Sequence, residues 1–177
     1  MSIAEILNDK SIKPKEKTES LSRLVLDHTI SIDELIGFAD TAKDPAKATC
    51  IEVLEFASRQ QPDIIHENAF RFVTAASTAK APRIKWESAK VIGNTASLFP
   101  AQLDEAIRNL LANTEHEGTV VRWSAAFALG EILKLKTSHN EALLPAITAI
   151  AASEEKNSIK KIYHNAIKKA MKQTHIQ

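Results

Sequence analysis

Val121-Arg122-Trp123-Ser124-Ala125-Ala126-Phe127-Ala128-Leu129-Gly130-Glu131 repeats a pattern found 37 positions earlier, Ile84-Lys85-Trp86-Glu87-Ser88-Ala89-Lys90-Val91-Ile92-Gly93-Asn94. Trp, Ala and Gly coincide in the two stretches. Moving on by 38 gives Ile159-Lys160-Lys161 through Ala166-Ile167, and moving back by 38 from Ile92 lands on Leu54. The inner match rests on residue identity and the outer two on apolar spacing. Self-similarity at such a period marks stacked units, because a two-helix unit of this length cannot bury its own apolar face. Ala125, Ala126, Gly130, Ala89 and Gly93 are small where helices must approach closely, and Leu129, Ile132 and Ile92 supply bulk between layers.

The rest of the chain has the same helical character. Apolar residues recur at helical spacing almost everywhere, and period-two alternation is scarce. The pattern predicts a helix over Lys13–Asp27 and one opened by the N-cap Ser31 that runs to about Thr41. Pro45 in a first turn opens another to about Arg59. Pro62-Asp63 restarts the pattern through Ile65, Ala69, Phe72, Val73 and Ala76. Further helices are expected from Pro82 to Leu98, from Pro100 to Asn113, and over Val120–Lys136, Asn140–Ala152 and Asn157–Lys172. This is an all-α chain of consecutive antiparallel hairpins.

Val121-Arg122-x-x-Ala125-Ala126-x-Ala128-Leu129-Gly130-x-Ile132 resembles the second helix of a HEAT repeat, of the type also found in phycobilisome-lyase-like proteins. Leu143-Leu144-Pro145-Ala146-Ile147 resembles the opening of a HEAT first helix. The resemblance covers about Ser31 to Lys172. It departs from the pattern at Lys85 and Lys160, which replace the Arg, and in the last pair, where small residues are mostly lost, as befits a capping unit. It implies a right-handed α-solenoid of about four HEAT-like helix pairs in one domain over residues 1–177. Residues 1–28 form an N-terminal helical cap, and the repeats fall at about 31–60, 62–98, 100–136 and 139–173.

Composition narrows the function classes. The 177 residues are 44% hydrophobic and 25% charged, with 4 Gly and 6 Pro, which fits a folded globular chain and no linker-like or collagen-like class. Cys50 stands alone, so no internal disulfide or Cys-cluster zinc site is available. No long apolar run is present, and Ser2–Lys17 lacks the core of a signal peptide, so a reduced, cytoplasmic protein with no membrane segment is expected. No phosphate loop, nucleophile elbow or His-Glu-x-x-His pattern occurs. His28, His66, His116, His139, His164 and His175 lie singly, and a buried, inert Cys50 is favoured over a nucleophile. The expectation is a non-enzymatic protein with no metal or cofactor, a monomer or weak dimer.

The net charge of +1 conceals segregation. The resemblance implies that second helices line the concave side. The segments 13–27, 43–59, 80–97, 118–136 and 156–173 hold 20 Lys and Arg against 8 Asp and Glu, and the remainder holds 3 against 14. A basic concave face would attract an anionic partner. Part of that charge has structural explanations: Glu115, Glu117 and Glu154 are placed to pair with Arg122, and lysines at helix C-termini complement the helix dipole.

Within the repeat, Trp123, Phe127 and Glu131 share one helix face at i, i+4, i+8. The equivalent stripes are Ala48, Glu52, Phe56, then Trp86, Lys90, Asn94, and finally Lys161, Asn165, Lys169. Trp86, Trp123 and Phe127 are candidate anchors, and Lys90, Lys161 and Lys169 candidate charged contacts. The alternative, rings packed flat between repeats, remains open at this level. The expected function is a scaffold that holds a protein or peptide partner, acidic in character. The alternative is nucleic-acid binding by the same basic face, with a distant similarity to HEAT-like alkylpurine DNA glycosylases, whose characteristic sequence blocks are absent. An accessory role in chromophore lyase chemistry rests on the repeat type alone.

Overall fold

A computed structural model describes residues 1–172, and every regular element in it is helical. Ser2 opens α1 (Ile3–Asn8) with a capping box, its hydroxyl accepting from Glu5 N while the Glu5 carboxylate accepts from Ser2 N. Pro14 starts α2 (Pro14–Leu26), and Ser31 caps α3 (Ile32–Thr41) by accepting from Glu34 N at 3.0 Å. Next come α4 (Asp44–Gln60), α5 (Glu67–Ala76), α6 (Pro82–Thr95), α7 (Leu103–Asn113), α8 (Thr119–Lys134), α9 (Asn140–Ser153) and α10 (Asn157–Met171).

Three boundaries differ from the sequence pattern. Pro62–Ile64 and Pro100–Gln102 are short 3₁₀ turns, so α5 and α7 begin later than their prolines. The helix from Pro82 stops at Thr95, whose hydroxyl donates back to the Val91 carbonyl at 2.7 Å, and a 3₁₀ turn follows. The turns after α2 and α8 are made by His28 and Lys136, with φ of 63° and 55°, in the left-handed place that glycine commonly fills.

The even-numbered helices pack in chain order, α2 on α4, α4 on α6, α6 on α8 and α8 on α10, while successive odd-numbered helices barely touch one another. Two layers result, joined by one continuous apolar core that runs from Ile3 to Ala166. A stack drawn tight on one side bends toward that side, so the even helices line the inner, concave layer. The coinciding glycines explain the tightness. A Cβ on Gly93 would lie 3.2 Å from Ala128 Cα, and one on Gly130 would lie 3.2 Å from Ala166 Cβ.

Polar links tie one pair to the next. Lys85 Nζ donates to Asn113 Oδ1 at 3.1 Å, and Asn113 Nδ2 donates to the Ser77 carbonyl at 3.0 Å. Arg122 donates to Glu154 at 3.1 Å and to the carbonyls of His116 and Glu117. The repeat-motif cations Lys85 and Arg122 therefore hold the stack together. The chain is an α-solenoid with four HEAT-like helix pairs behind an N-terminal helical cap, and that cap is itself a short pair whose second helix packs on α4.

Candidate binding surface on the inner layer

Helical spacing brings the stripes of α4, α6 and α8 together in a groove of about 440 Å³. Glu52, Glu55, Phe56 and Arg59 come from α4, Lys90 and Asn94 from α6, and Trp123 and Phe127 from α8. Asn94 is fixed by donating to Ser58 Oγ at 3.1 Å across the α4/α6 contact.

The two tryptophans have different surroundings. Trp123 is 40% exposed and stacks on Phe127, with ring centroids 6.0 Å apart and planes 11° apart. Phe127 lies over Gly93, where a Cβ would come within 2.5 Å of its ring edge. Gly93 thus supplies the seat on which the two-ring platform rests. Trp86 is half-buried, donates its indole N–H to Glu87 Oε1 at 2.9 Å, and does not line the groove. Of the six candidate residues, Lys90, Trp123 and Phe127 meet in the groove. Lys161 and Lys169 lie outside it, exposed on α10.

The pairing of charges revises the picture of a uniformly basic inner face. Arg83 pairs with Glu52, Arg59 with Glu55 at 3.4 Å, Lys90 with Glu87 at 3.1 Å and Lys134 with Glu131 at 2.7 Å. Arg59 also lies over the Phe56 ring, 5.4 Å from its centroid. The middle of the layer is therefore close to neutral. The helix α10 is different: Lys160, Lys161, Lys168, Lys169 and Lys172 lie along one arc of it, Lys156 precedes it, and none has an ion-pair partner among the described residues. Charge counting along the sequence located the basic residues and missed which of them are neutralised: Arg83 and Glu52 stand far apart in the chain, and a sum over each segment does not register the i, i+3 and i, i+4 pairs within it.

Two buried carboxylates are shifted in opposite directions. Burial raises the pKa of Glu87 above the usual carboxylate range, and the neighbouring Glu52 charge adds to this, against the smaller opposing effects of Lys90 and Trp86. Burial also acts to raise Glu154, but the Lys156 backbone N–H and the Arg122 guanidinium together outweigh it and hold Glu154 low.

The remaining candidates for chemistry are structural. Cys50 is fully buried and its thiol is pushed up to about 12 by that burial, the state of an inert side chain. His66 faces Asp33 at 3.0 Å and His139 faces Asp104 at 2.7 Å, both on the outer layer. His116 Nδ1 accepts from Gly118 N. No group of three or more metal-ligating side chains comes together among the described residues, and His175 lies outside them. Glu55 and Arg59 were not singled out by the repeat stripes. Their i, i+4 spacing astride Phe56 was the available sign.

No family model matches the sequence, and no curated protein matches it. Solved structures share its fold. A designed armadillo repeat protein in complex with the peptide (KR)4 superposes with a TM-score of 0.74 at 15% identity, over 96% of this chain and 80% of that one. The complex of CpcE and CpcF of phycocyanin lyase from Nostoc sp. PCC7120 gives 0.69 at 18% identity, over 93% and 94%. Computationally designed armadillo repeat proteins for modular peptide recognition give 0.73 at 13% identity, over 96% and 81%. At these identities the likeness establishes the repeat fold. No helix among the described residues is long and apolar enough to cross a membrane.

Proposed function

We propose that the inner layer is a docking face for a segment of a partner protein, and that the chain acts as a non-enzymatic cytoplasmic scaffold. The observation that carries this is the Trp123–Phe127 platform: a large ring left in solvent beside a groove, on the layer a solenoid uses to enclose a ligand. A flat ring of this size gains most from burial, and such residues concentrate the binding energy of protein contacts. The designed armadillo relatives, described as recognising peptides, support the same use of the fold. In this reading an apolar side chain of the partner covers Trp123 and Phe127, and Lys90 makes the charged contact beside them. Acidic residues of the partner meet Lys161 and Lys169 on α10, where no carboxylate of the described residues competes.

The unpaired lysines of α10 also favour a second reading, in which phosphates of a nucleic acid occupy that end. Salt separates the two. Binding of a labelled peptide of alternating glutamate and phenylalanine, and of a single-stranded oligonucleotide, is measured by anisotropy over a range of salt. The scaffold reading predicts that Trp123→Ala loses most peptide affinity and that salt has a modest effect. Tighter binding of the oligonucleotide, with a steep salt slope abolished by Lys161→Glu with Lys169→Glu, would replace it with the nucleic-acid reading.

A further inference from the structure

Glu87 is the one carboxylate beside the groove whose arrangement leaves it incompletely paired. Its side chain is 6% exposed. One oxygen accepts from the Trp86 indole, and the other, Oε2, is buried with no hydrogen bond. Lys90 Nζ stands 3.1 Å from that oxygen, off the line that a hydrogen bond requires. Glu87 thus neutralises Lys90, the one groove cation on α6, without fully engaging it.

The surrounding charges fix what an acidic partner must do. From α4 the groove receives Glu52, held by Arg83, and Glu55, held by Arg59. From α6 it receives Lys90, with Glu87 beneath it. From α8 it receives the uncharged rings of Trp123 and Phe127, and the nearest stripe charge there, Glu131, is held by Lys134. Four acids and four bases balance around the groove, so an added carboxylate is repelled as much as it is attracted. One internal negative charge has to be lost. Glu52 faces Arg83 and is open to water, and Glu55, though buried, faces the Arg59 guanidinium, whereas Glu87 is buried with one oxygen left without a hydrogen bond and already disfavours its charged form.

We infer that the groove takes a carboxylate of the partner onto Lys90 in exchange for Glu87, which accepts a proton from solvent as the partner docks. The ammonium of Lys90 keeps its charge throughout and changes counter-ion. This deepens the docking reading above and rests on it. It names the partner's chemistry, a carboxylate close to an aromatic or aliphatic side chain, and makes docking proton-linked.

The test is the affinity of the labelled glutamate–phenylalanine peptide for the whole chain between about pH 5.5 and about pH 8, where the peptide's own carboxylates stay ionised. Uptake of one proton makes affinity rise by up to about tenfold for each unit the pH falls. Glu87→Gln, which keeps an acceptor for the Trp86 indole, is expected to bind at high pH as tightly as the unaltered protein binds at low pH, with the pH dependence gone. Lys90→Ala is expected to weaken binding at every pH. Binding that Trp123→Ala removes but that is indifferent to pH and to Glu87→Gln overturns the exchange and leaves the docking face standing. No binding at any pH overturns both. A thermal melt of each variant shows that the fold is retained.

Discussion

The helices α8 and α10 occupy equivalent places in successive repeats, yet they present opposite surfaces. At the same three register positions α8 carries Trp123, Phe127 and Glu131, and α10 carries Lys161, Asn165 and Lys169. On α8 the rings stack and the acid is paired with Lys134; on α10 the lysines are exposed and have no ion-pair partner among the described residues. The inner layer therefore divides into a neutral, aromatic middle and a cationic end. A partner that fits both needs an apolar anchor and an acidic flank in a set order along its chain, which a uniformly basic face would not demand.

The largest effect in this comparison is expected where α8 is tied to Glu154, in the turn between α9 and α10. Arg122→Ala removes the guanidinium that holds Glu154, whose side chain is 5% exposed, and it should lower stability by about 2–3 kcal/mol in urea denaturation. The same pair predicts the acid limb of stability. Glu154 is held below its unfolded value, so its contribution is full above the unfolded carboxylate range and is lost as pH falls through the lower folded value. Glu87 acts with the opposite sign. Its folded value is raised, so stability grows as pH falls through it, and Glu87→Gln should remove that gain.

Second in size is the anchor. Trp123→Ala should cost about 2 kcal/mol of partner affinity by anisotropy while lowering thermal stability less than Arg122→Ala does, because the residue is 40% exposed. A melting point that falls as far as in Arg122→Ala would instead make Trp123 part of the core.

The two glycines sharpen the comparison further. Gly93→Ala forces Phe127 off its seat and should cost about 1–2 kcal/mol, offset in part by better helix propensity. Gly130→Ala meets only the Ala166 methyl at 3.2 Å and should cost less than about 1 kcal/mol. Smallest of all in stability, Lys161→Glu with Lys169→Glu should change it by under about 0.5 kcal/mol and be felt in the affinity for an acidic partner and in its salt response.

Much of this was legible in the sequence for identifiable reasons. The repeat showed because close helix contact favours the smallest residues at positions 93 and 130 and alanine beside them, so identity survives at fixed spacing. The stripe showed because i, i+4, i+8 is a property of the helix itself. The full pairing of charges did not: Arg83 and Glu52 are brought together by stacking, which periodicity does not report. Arg122 with Glu154 was expected, whereas Lys90 with Glu87 and Lys134 with Glu131 stand at i, i+3, a helical spacing that counting charge by segment passes over. The short α1 was missed because six residues carry no period, and its capping box, Ser2 with Glu5, is the only local sign. The different surroundings of Trp86 and Trp123 were invisible for a similar reason: equivalent positions share a helix face but not the same neighbours.

The most direct measurement is acrylamide quenching of Trp123 fluorescence in a Trp86→Phe variant, with and without the glutamate–phenylalanine peptide. The account predicts an open, readily quenched indole in the free protein that becomes protected, with blue-shifted emission, when the peptide binds. An indole already protected in the free protein, or one left equally open at saturating peptide, would contradict a docking face built on Trp123.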